Sequence, residues 1–383
     1  MRRVAVISVG RSDYGLLRPL LRAIESADDL QLQLIAGAAH LAGQWGHTVR
    51  EIEADGFAIA ARIDCNLAND SHGAVVRTMG LAMLECAAAF ERLAPDIAIV
   101  LGDRSEMFAA AAATVPFQIP LAHLCGGSVT QGAIDDVYRH GISKMAHWHF
   151  VETEDARNRL LRMGEANRRI HVTGLIGLDN IAHYPALSPA EIASRFGLRI
   201  DPADRPLLIT FHPVTRKAGS ALAEFEALLA AVARSGHPAI FTYPNADAES
   251  VALIARLEQF VAATPRAQVV KHLGTEGYYA VLREARAMVG NSSSGLLESA
   301  SFKLPVVNVG DRQKGRLAPP NVISVPAEAS AIAEAIATVT SEPFRHGLST
   351  LVNPYGDGNA AGRIMSVLRA TPLDRGWIVK EAP

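Results

Sequence analysis

Short, continuously apolar runs recur along the chain and alternate with longer stretches of helical periodicity. In the first half, Val4–Val9, Leu32–Ala36, Ile97–Leu101, Leu121–Leu124 and His149–Glu152 predict strands. In the second half, Leu207–Phe211, Ala239–Tyr243, Val269–Lys271, Ala287–Val289 and Val306–Val309 do the same. Between them Leu16–Ala27, Val75–Leu93, Ser220–Ala233 and Ala248–Ala262 predict helices. Strands that are apolar throughout, instead of alternating with polar residues, belong to parallel sheets covered on both faces. The expected fold class is therefore α/β, with two Rossmann-like, doubly wound domains facing a cleft. In such folds ligands meet the loops that follow the strands.

Residues 184–206 break the alternation with four prolines and several turn formers, so they predict an interdomain linker. That divides the chain into a first domain over 1–183 and a second over 207–357. The segment 358–383 contains a helical pattern and is expected to complete the first domain. No internal repeat or low-complexity segment is present.

Hydrophobic residues make up 49 % of the 383 positions and charged residues 20 %, which excludes disorder as a global state. The formal net charge of −2 lacks the basic excess of a nucleic-acid binder. Cys65, Cys86 and Cys125 form no CxxC pair, so neither a disulfide framework nor a structural zinc site is expected, and a reducing, cytoplasmic setting fits best. The opening MRRVAVISVG has the basic start of a leader, but Gly10, Arg11 and Asp13 interrupt its apolar run too early. The apolar stretch Met107–Ala122 is broken by Pro116, Gln118 and Pro120, so no membrane span is expected there. His123 with Cys125 and His147 with His149 match no metal-ligand spacing.

Chemistry-bearing residues cluster after the predicted strands. Gly10-Arg11-Ser12-Asp13-Tyr14-Gly15 follows the first and reads either as a capped helix start or as part of a site; it is not the GxGxxG of a nicotinamide fold. Gly102-Asp103-Arg104 delivers a carboxylate and a guanidinium together. Cys125-Gly126-Gly127-Ser128 allows close backbone approach, and Asp135 and Asp136 open a helix on which Arg139 and His140 lie at i+3 and i+4 from Asp136. Adjacent acids can raise a carboxylate pKa and create a base, or simply cap the helix. In the second half His212 follows a strand, as do Asn245 and Asp247. Gly290-Asn291-Ser292-Ser293-Ser294 precedes a predicted helix and offers amides and hydroxyls to an anion, with Glu298 one turn on for ribose hydroxyls and Arg312 after the next strand. Phosphate and ribose recognition together point to a nucleotide; a plain serine cap is the alternative.

Taken in order, RSDYGLLRPLL, AAHL, EIEADGF, LGDRSEMFAAA, GGSVTQGAIDDVYRHGISKMAHWHF, VTGLIGLDN, HPVT, PNADAES and GNSSSGLLESASFKLPVVNVGDRQKGR resemble the UDP-N-acetylglucosamine 2-epimerase family, nearest its hydrolysing branch. The resemblance implies a glycosyltransferase-B-like fold, a UDP-sugar substrate, a homodimer, and no NAD, metal or other cofactor. It implies that Arg11, Arg104, His212, Asn245, Ser292, Ser293, Glu298 and Arg312 hold UDP or the sugar, with His40, Arg139 and Asp247 in the same set. It implies that Asp103, Asp135 and Asp136 act in catalysis, with His212 beside the leaving group. Two positions depart from the pattern: the family often has an acid at Cys125, and many hydrolysing members have Glu at Ser128. The chemistry implied is loss of UDP to a 2-acetamidoglucal, then water addition to give the free sugar inverted at C2, in the sialic or legionaminic acid branch. A non-hydrolysing epimerase, a glycosyltransferase and a non-catalytic nucleotide-sugar binder are the alternatives.

Overall fold

A computed structural model of the chain describes residues 1–43, 47–65, 71–129, 134–213, 221–244 and 250–380. The chain divides into two units, Met1–Asn180 with Tyr355–Pro383, and Ile181–Pro354. The first holds a parallel sheet of β1 (Arg2–Ser8), β2 (Leu30–Gly37), β3 (Ile59–Ile63), β4 (Ile97–Leu101), β5 (Leu121–Leu124), β6 (Trp148–Val151) and β7 (Ile170–Val172). Its strand order is β3-β2-β1-β4-β5-β6-β7. The second holds β8 (Leu207–Thr210), β9 (Ala239–Thr242), β10 (Ala267–Val270), β11 (Ala287–Gly290), β12 (Val306–Val309) and β13 (Val322–Val325), also parallel, in the order β10-β9-β8-β11-β12-β13. The order reverses between β1 and β4 in one sheet and between β8 and β11 in the other. These switch points are where open α/β sheets receive ligands.

Both sheets are covered on both faces, as the unbroken apolar runs require. Val4 and Val6 of β1 pack with Leu17, Leu20, Leu21 and Ile24 of the helix Arg11–Glu25, while Ala5 and Ile7 face Ala82, Cys86 and Phe90 of the helix His72–Leu93. Each fully buried leucine or isoleucine contributes about 1.5–3 kcal/mol. In the second unit Leu207 and Ile209 pack on the helix Ala221–Ser235, and Leu208 faces Ile192 and Tyr279.

The helix Ala360–Ala370 returns to the first unit, where Ala360, Ile364 and Leu368 join the core around Leu17. Its start is capped from a distance: both carboxylate oxygens of Asp179 accept backbone N–H groups, from Ala360 at 2.9 Å and Ala361 at 2.7 Å.

Two expectations are corrected. Residues 184–206 are no loose connection. Ser188 and Glu191 form a capping box on the helix Pro189–Phe196, Pro189 sits in its first turn, and Leu187, Ile192, Leu198 and Ile200 are buried in the second unit. The prolines punctuate a helix; they do not mark a spacer. Three strands, β3, β7 and β13, were also not expected. Each lies at a sheet edge, and IAARI, IHV and VISV lack an unbroken, fully buried apolar run.

Candidate active site

In the first unit the chemistry collects at the carboxyl ends of β1, β4, β5 and β6. Gly10 is the extended N-cap of the helix after β1. Asp13, in the first turn of that helix, accepts the Val9 N–H at 3.3 Å. It is almost fully buried, and burial raises its pKa to about 6 against the opposing charge of Arg104. A Cβ built on Gly10 would lie 3.9 Å from Asp13 Oδ2 and 4.0 Å from Arg104 Cζ, so the guanidinium that follows β4 reaches the end of β1.

Gly102 turns β4 with φ +74°, and Asp103 follows. Its carboxylate accepts a hydrogen bond from Arg139 on the helix Asp135–Met145. Besides Asp136, one turn earlier on its own helix, buried Arg139 thus has a partner 36 positions away in Asp103. Asp135 is half-buried, and burial raises its pKa, with Arg104 opposing and Asp136 and Glu106 reinforcing. Asp13 and Asp135 thus each feel the charges of Arg104 and Glu106.

His40 is fully buried and spends both ring nitrogens internally, 2.9 Å from Ser8 Oγ and 2.8 Å from Thr48 Oγ1. Burial, aided by Arg104, lowers its pKa to about 4, so it is a neutral support for the β1 end. His123 does the same between β4 and β5, with Nε2 2.8 Å from the Gly102 carbonyl and Nδ1 3.1 Å from Ser143 Oγ. Arg11 points outward and meets Glu51 at 3.3 Å. Ser128 Oγ lies 2.7 and 2.8 Å from the two carboxylate oxygens of buried Glu152, at the end of β6.

In the second unit the β8 and β11 ends are locked together. Gly290 has φ +139°, and a Cβ there would lie 2.0 Å from the Thr210 carbonyl oxygen. No side chain fits. Asn291, next in the chain, accepts the His212 N–H at 2.7 Å and donates to the His212 carbonyl at 2.8 Å. The Asn291 carbonyl in turn accepts Arg312 at 3.2 Å and Gln313 at 2.9 Å. This brings His212, Ser292, Ser293 and Arg312 to one sheet end. Burial and then Arg312 lower the His212 pKa to about 4, so near neutrality the ring offers a hydrogen bond and no charge. The positive charge comes from Arg312. Glu298 is half-buried, accepts the Tyr279 hydroxyl at 2.9 Å, and has its pKa raised by burial.

The serines do not open a long helix. Ser294–Leu297 is a single turn that passes into a 3₁₀ turn, Ser299–Phe302, and Glu298 lies between them. A dipole summed over one turn is small, so what this sheet end offers is the Arg312 cation, the serine hydroxyls and the backbone amides. Asn245 and Asp247 lie outside the described residues. Among the described residues no group of three or more His, Cys, Asp or Glu is arranged to hold a metal.

A profile of the UDP-N-acetylglucosamine 2-epimerase family matches residues 22–369. The chain belongs to that family. A hydrolysing UDP-N,N'-diacetylbacillosamine 2-epimerase of Legionella pneumophila is 35 % identical over 373 residues, covering 97 % of each chain. A hydrolysing GDP/UDP-N,N'-diacetylbacillosamine 2-epimerase of Campylobacter jejuni is 37 % identical over 346 residues, 90 % of this chain and 89 % of that one. Among solved structures, a UDP-GlcNAc 2-epimerase of Neisseria meningitidis bound to UDP-GlcNAc superposes with a TM-score of 0.82 at 18 % identity, over 97 % of this chain and all of the other. That likeness establishes the glycosyltransferase-B-like fold.

Within this 2-epimerase fold, Asp103, Arg104, Arg139 and Asp135 gather at one sheet end, and His212, Ser292, Ser293 and Arg312 at the other. Arg11 and His40 are engaged elsewhere, in a surface ion pair and a buried support. Asp13 was read as either a helix cap or part of a site, and Glu106 and Glu152 were not singled out as site residues. Each is an acid at or just past a strand end, and that position is the signal that could have found them.

Proposed function

We propose that this enzyme is a hydrolysing 2-epimerase of a UDP-linked 2-acetamido sugar. The substrate is UDP-GlcNAc or a 2,4-diacetamido-6-deoxy analogue such as UDP-N,N'-diacetylbacillosamine, and the products are UDP and the free sugar inverted at C2. The observation that carries the reading is the presence of two acids in unlike settings after the adjacent strands β4 and β5: Asp103, held by Arg139, and Asp135, raised by burial. Environments that differ in this way assign base and acid. Asp103 accepts the C2 proton as the C1–O bond to UDP breaks. Asp135 delivers a proton to the opposite face of C2 as water adds at C1. Arg312, His212, Ser292 and Ser293 stabilise the charge that builds on the leaving diphosphate. The two hydrolysing relatives support release of a free sugar over retention of UDP.

A place in sialic or legionaminic acid synthesis follows from such a product. The three free cysteines support a cytoplasmic setting. The helix His72–Leu93 is long and apolar enough to cross a membrane, but it buries Ala82, Cys86, Ala89 and Phe90 against the first sheet. Its outer stripe, with Val76 67 % and Leu84 69 % exposed, is the face on which we place a homodimer contact. Incubating the enzyme with UDP-GlcNAc and with UDP-N,N'-diacetylbacillosamine, and resolving free sugar, UDP and UDP-epimer by chromatography, tests the reading. Free epimer with stoichiometric UDP is expected. A UDP-linked epimer as final product would favour the non-hydrolysing alternative.

A further inference from the structure

The turn after β5 is fixed from several sides. A Cβ on Gly126 would lie 2.8 Å from His123 Nδ1, and one on Gly127, where φ is +73°, would lie 2.5 Å from the Ala156 carbonyl oxygen. Arg159 donates to the Gly127 carbonyl. Ser128 is the first side chain to emerge from this turn, and its hydroxyl spans both oxygens of Glu152. Glu152 is only 9 % exposed, and among the described residues no lysine, arginine or histidine forms an ion pair with it. A single hydroxyl compensates a buried carboxylate only in part. Glu152 thus stands at the end of β6 with the Ser128 hydroxyl on both of its oxygens.

Glu152 also belongs to the same polar edge as the acids already described. Arg139 holds Asp103; the charges of Arg139 and Arg159 both act on His140; and Arg159 holds the Gly127 carbonyl next to Ser128.

We propose that Glu152 is a further catalytic carboxylate, positioned by Ser128, and that it serves the hydrolytic half of the reaction by taking a proton from the water that adds at C1. This rests on the 2-epimerase reading above. The water O–H bond breaks and its proton goes to Glu152. The oxygen bonds C1, and the C1=C2 electron pair takes the proton that Asp135 delivers at C2. Nothing is oxidised or reduced, and solvent exchange resets the carboxyl groups. The elimination half does not use Glu152.

The test is proton NMR of the full-length Glu152→Gln and Ser128→Ala variants with the UDP-sugar that the wild type turns over. In Glu152→Gln, UDP release should stay within about threefold of wild type while free sugar falls roughly 10²-fold, the scale of one general base. The vinylic proton of the 2-acetamidoglucal should then accumulate. Ser128→Ala removes only the positioning hydroxyl and should raise the glucal-to-sugar ratio about tenfold. That ratio is insensitive to a loss of folded protein. UDP and free sugar falling in parallel with no glucal, or an unchanged ratio in both variants, would overturn the proposal. A wild type that releases no UDP from any 2-acetamido UDP-sugar would instead remove the 2-epimerase reading, and Glu152's role with it.

Discussion

Arg139 donates a hydrogen bond to the carboxylate of Asp103, joining a helix that follows β5 to the loop that follows β4. Arg139 is 7 % exposed at its side chain and Asp103 24 %, so water screens the pair only partly. The link fixes one carboxylate of the proposed acid–base set and sets the helix that carries the other.

Asp103→Asn should therefore lower kcat by roughly 10²–10⁴-fold, the range of a lost general base, while UDP binding by calorimetry changes less than threefold. Arg139→Ala should lower kcat/KM by roughly 10²-fold. Arg139→Lys should recover only part of it, since an ammonium lacks the planar fork of a guanidinium. Normal turnover by Asp103→Asn would remove the assignment.

Asp13 makes stability depend on pH. Its folded pKa, about 6, lies above the ordinary 3.8, so the folded state holds the proton more tightly than the unfolded chain. The resulting stability is fully present below about pH 4 and is lost as pH rises through 6. Asp13→Asn keeps an acceptor for the Val9 N–H and removes the cost of burying the charge. It should be more stable than wild type by about 1–3 kcal/mol at pH 7.5 and by much less at pH 4.5. Urea unfolding at the two values measures the difference, and an equal effect at both would contradict it.

Two glycines with positive φ should respond differently to a methyl group. Gly197→Ala meets nothing within 4 Å and should cost roughly 1–2 kcal/mol through its left-handed backbone alone. Gly290→Ala drives Cβ onto the Thr210 carbonyl and should cost of order 3 kcal/mol or more, with UDP binding lost as the β8 and β11 ends part. Thermal melts and UDP titration of both variants compare them directly.

Arg312 supplies the positive charge beside a neutral His212. Arg312→Ala should weaken UDP binding about tenfold, near 1.4 kcal/mol, and the loss should shrink as salt is raised. His212→Ala should lower kcat more than it raises the UDP dissociation constant, because it removes a hydrogen bond and no charge. Calorimetry across a salt series separates the two.

The central strands were readable because burial on both faces leaves an apolar run with no polar gap, as in IAIVL. The edge strands β3, β7 and β13 were not, since one side of the ladder is open and polar or half-buried positions are tolerated there; the edge strand β10 was read from its VV pair. The positions of Asp103, His212 and Arg312 shortly after the strands were equally visible, because each follows directly on an apolar run. Long-range partners were not. Arg139 has Asp136 within one helical turn, and no local pattern says that its guanidinium turns toward β4. The Ser128–Glu152 contact joins positions 24 apart through the β5–β6 pairing, which no local pattern announces.

The most direct test of the account is the reaction run in D₂O and followed by proton NMR, with UDP-GlcNAc and UDP-N,N'-diacetylbacillosamine as substrates. Elimination followed by hydration from the opposite face predicts free 2-epimer carrying deuterium at C2, released together with one UDP per sugar. Free sugar that keeps its C2 proton and its original configuration would mean simple hydrolysis of the C1–O bond, and would contradict the roles given to Asp103 and Asp135.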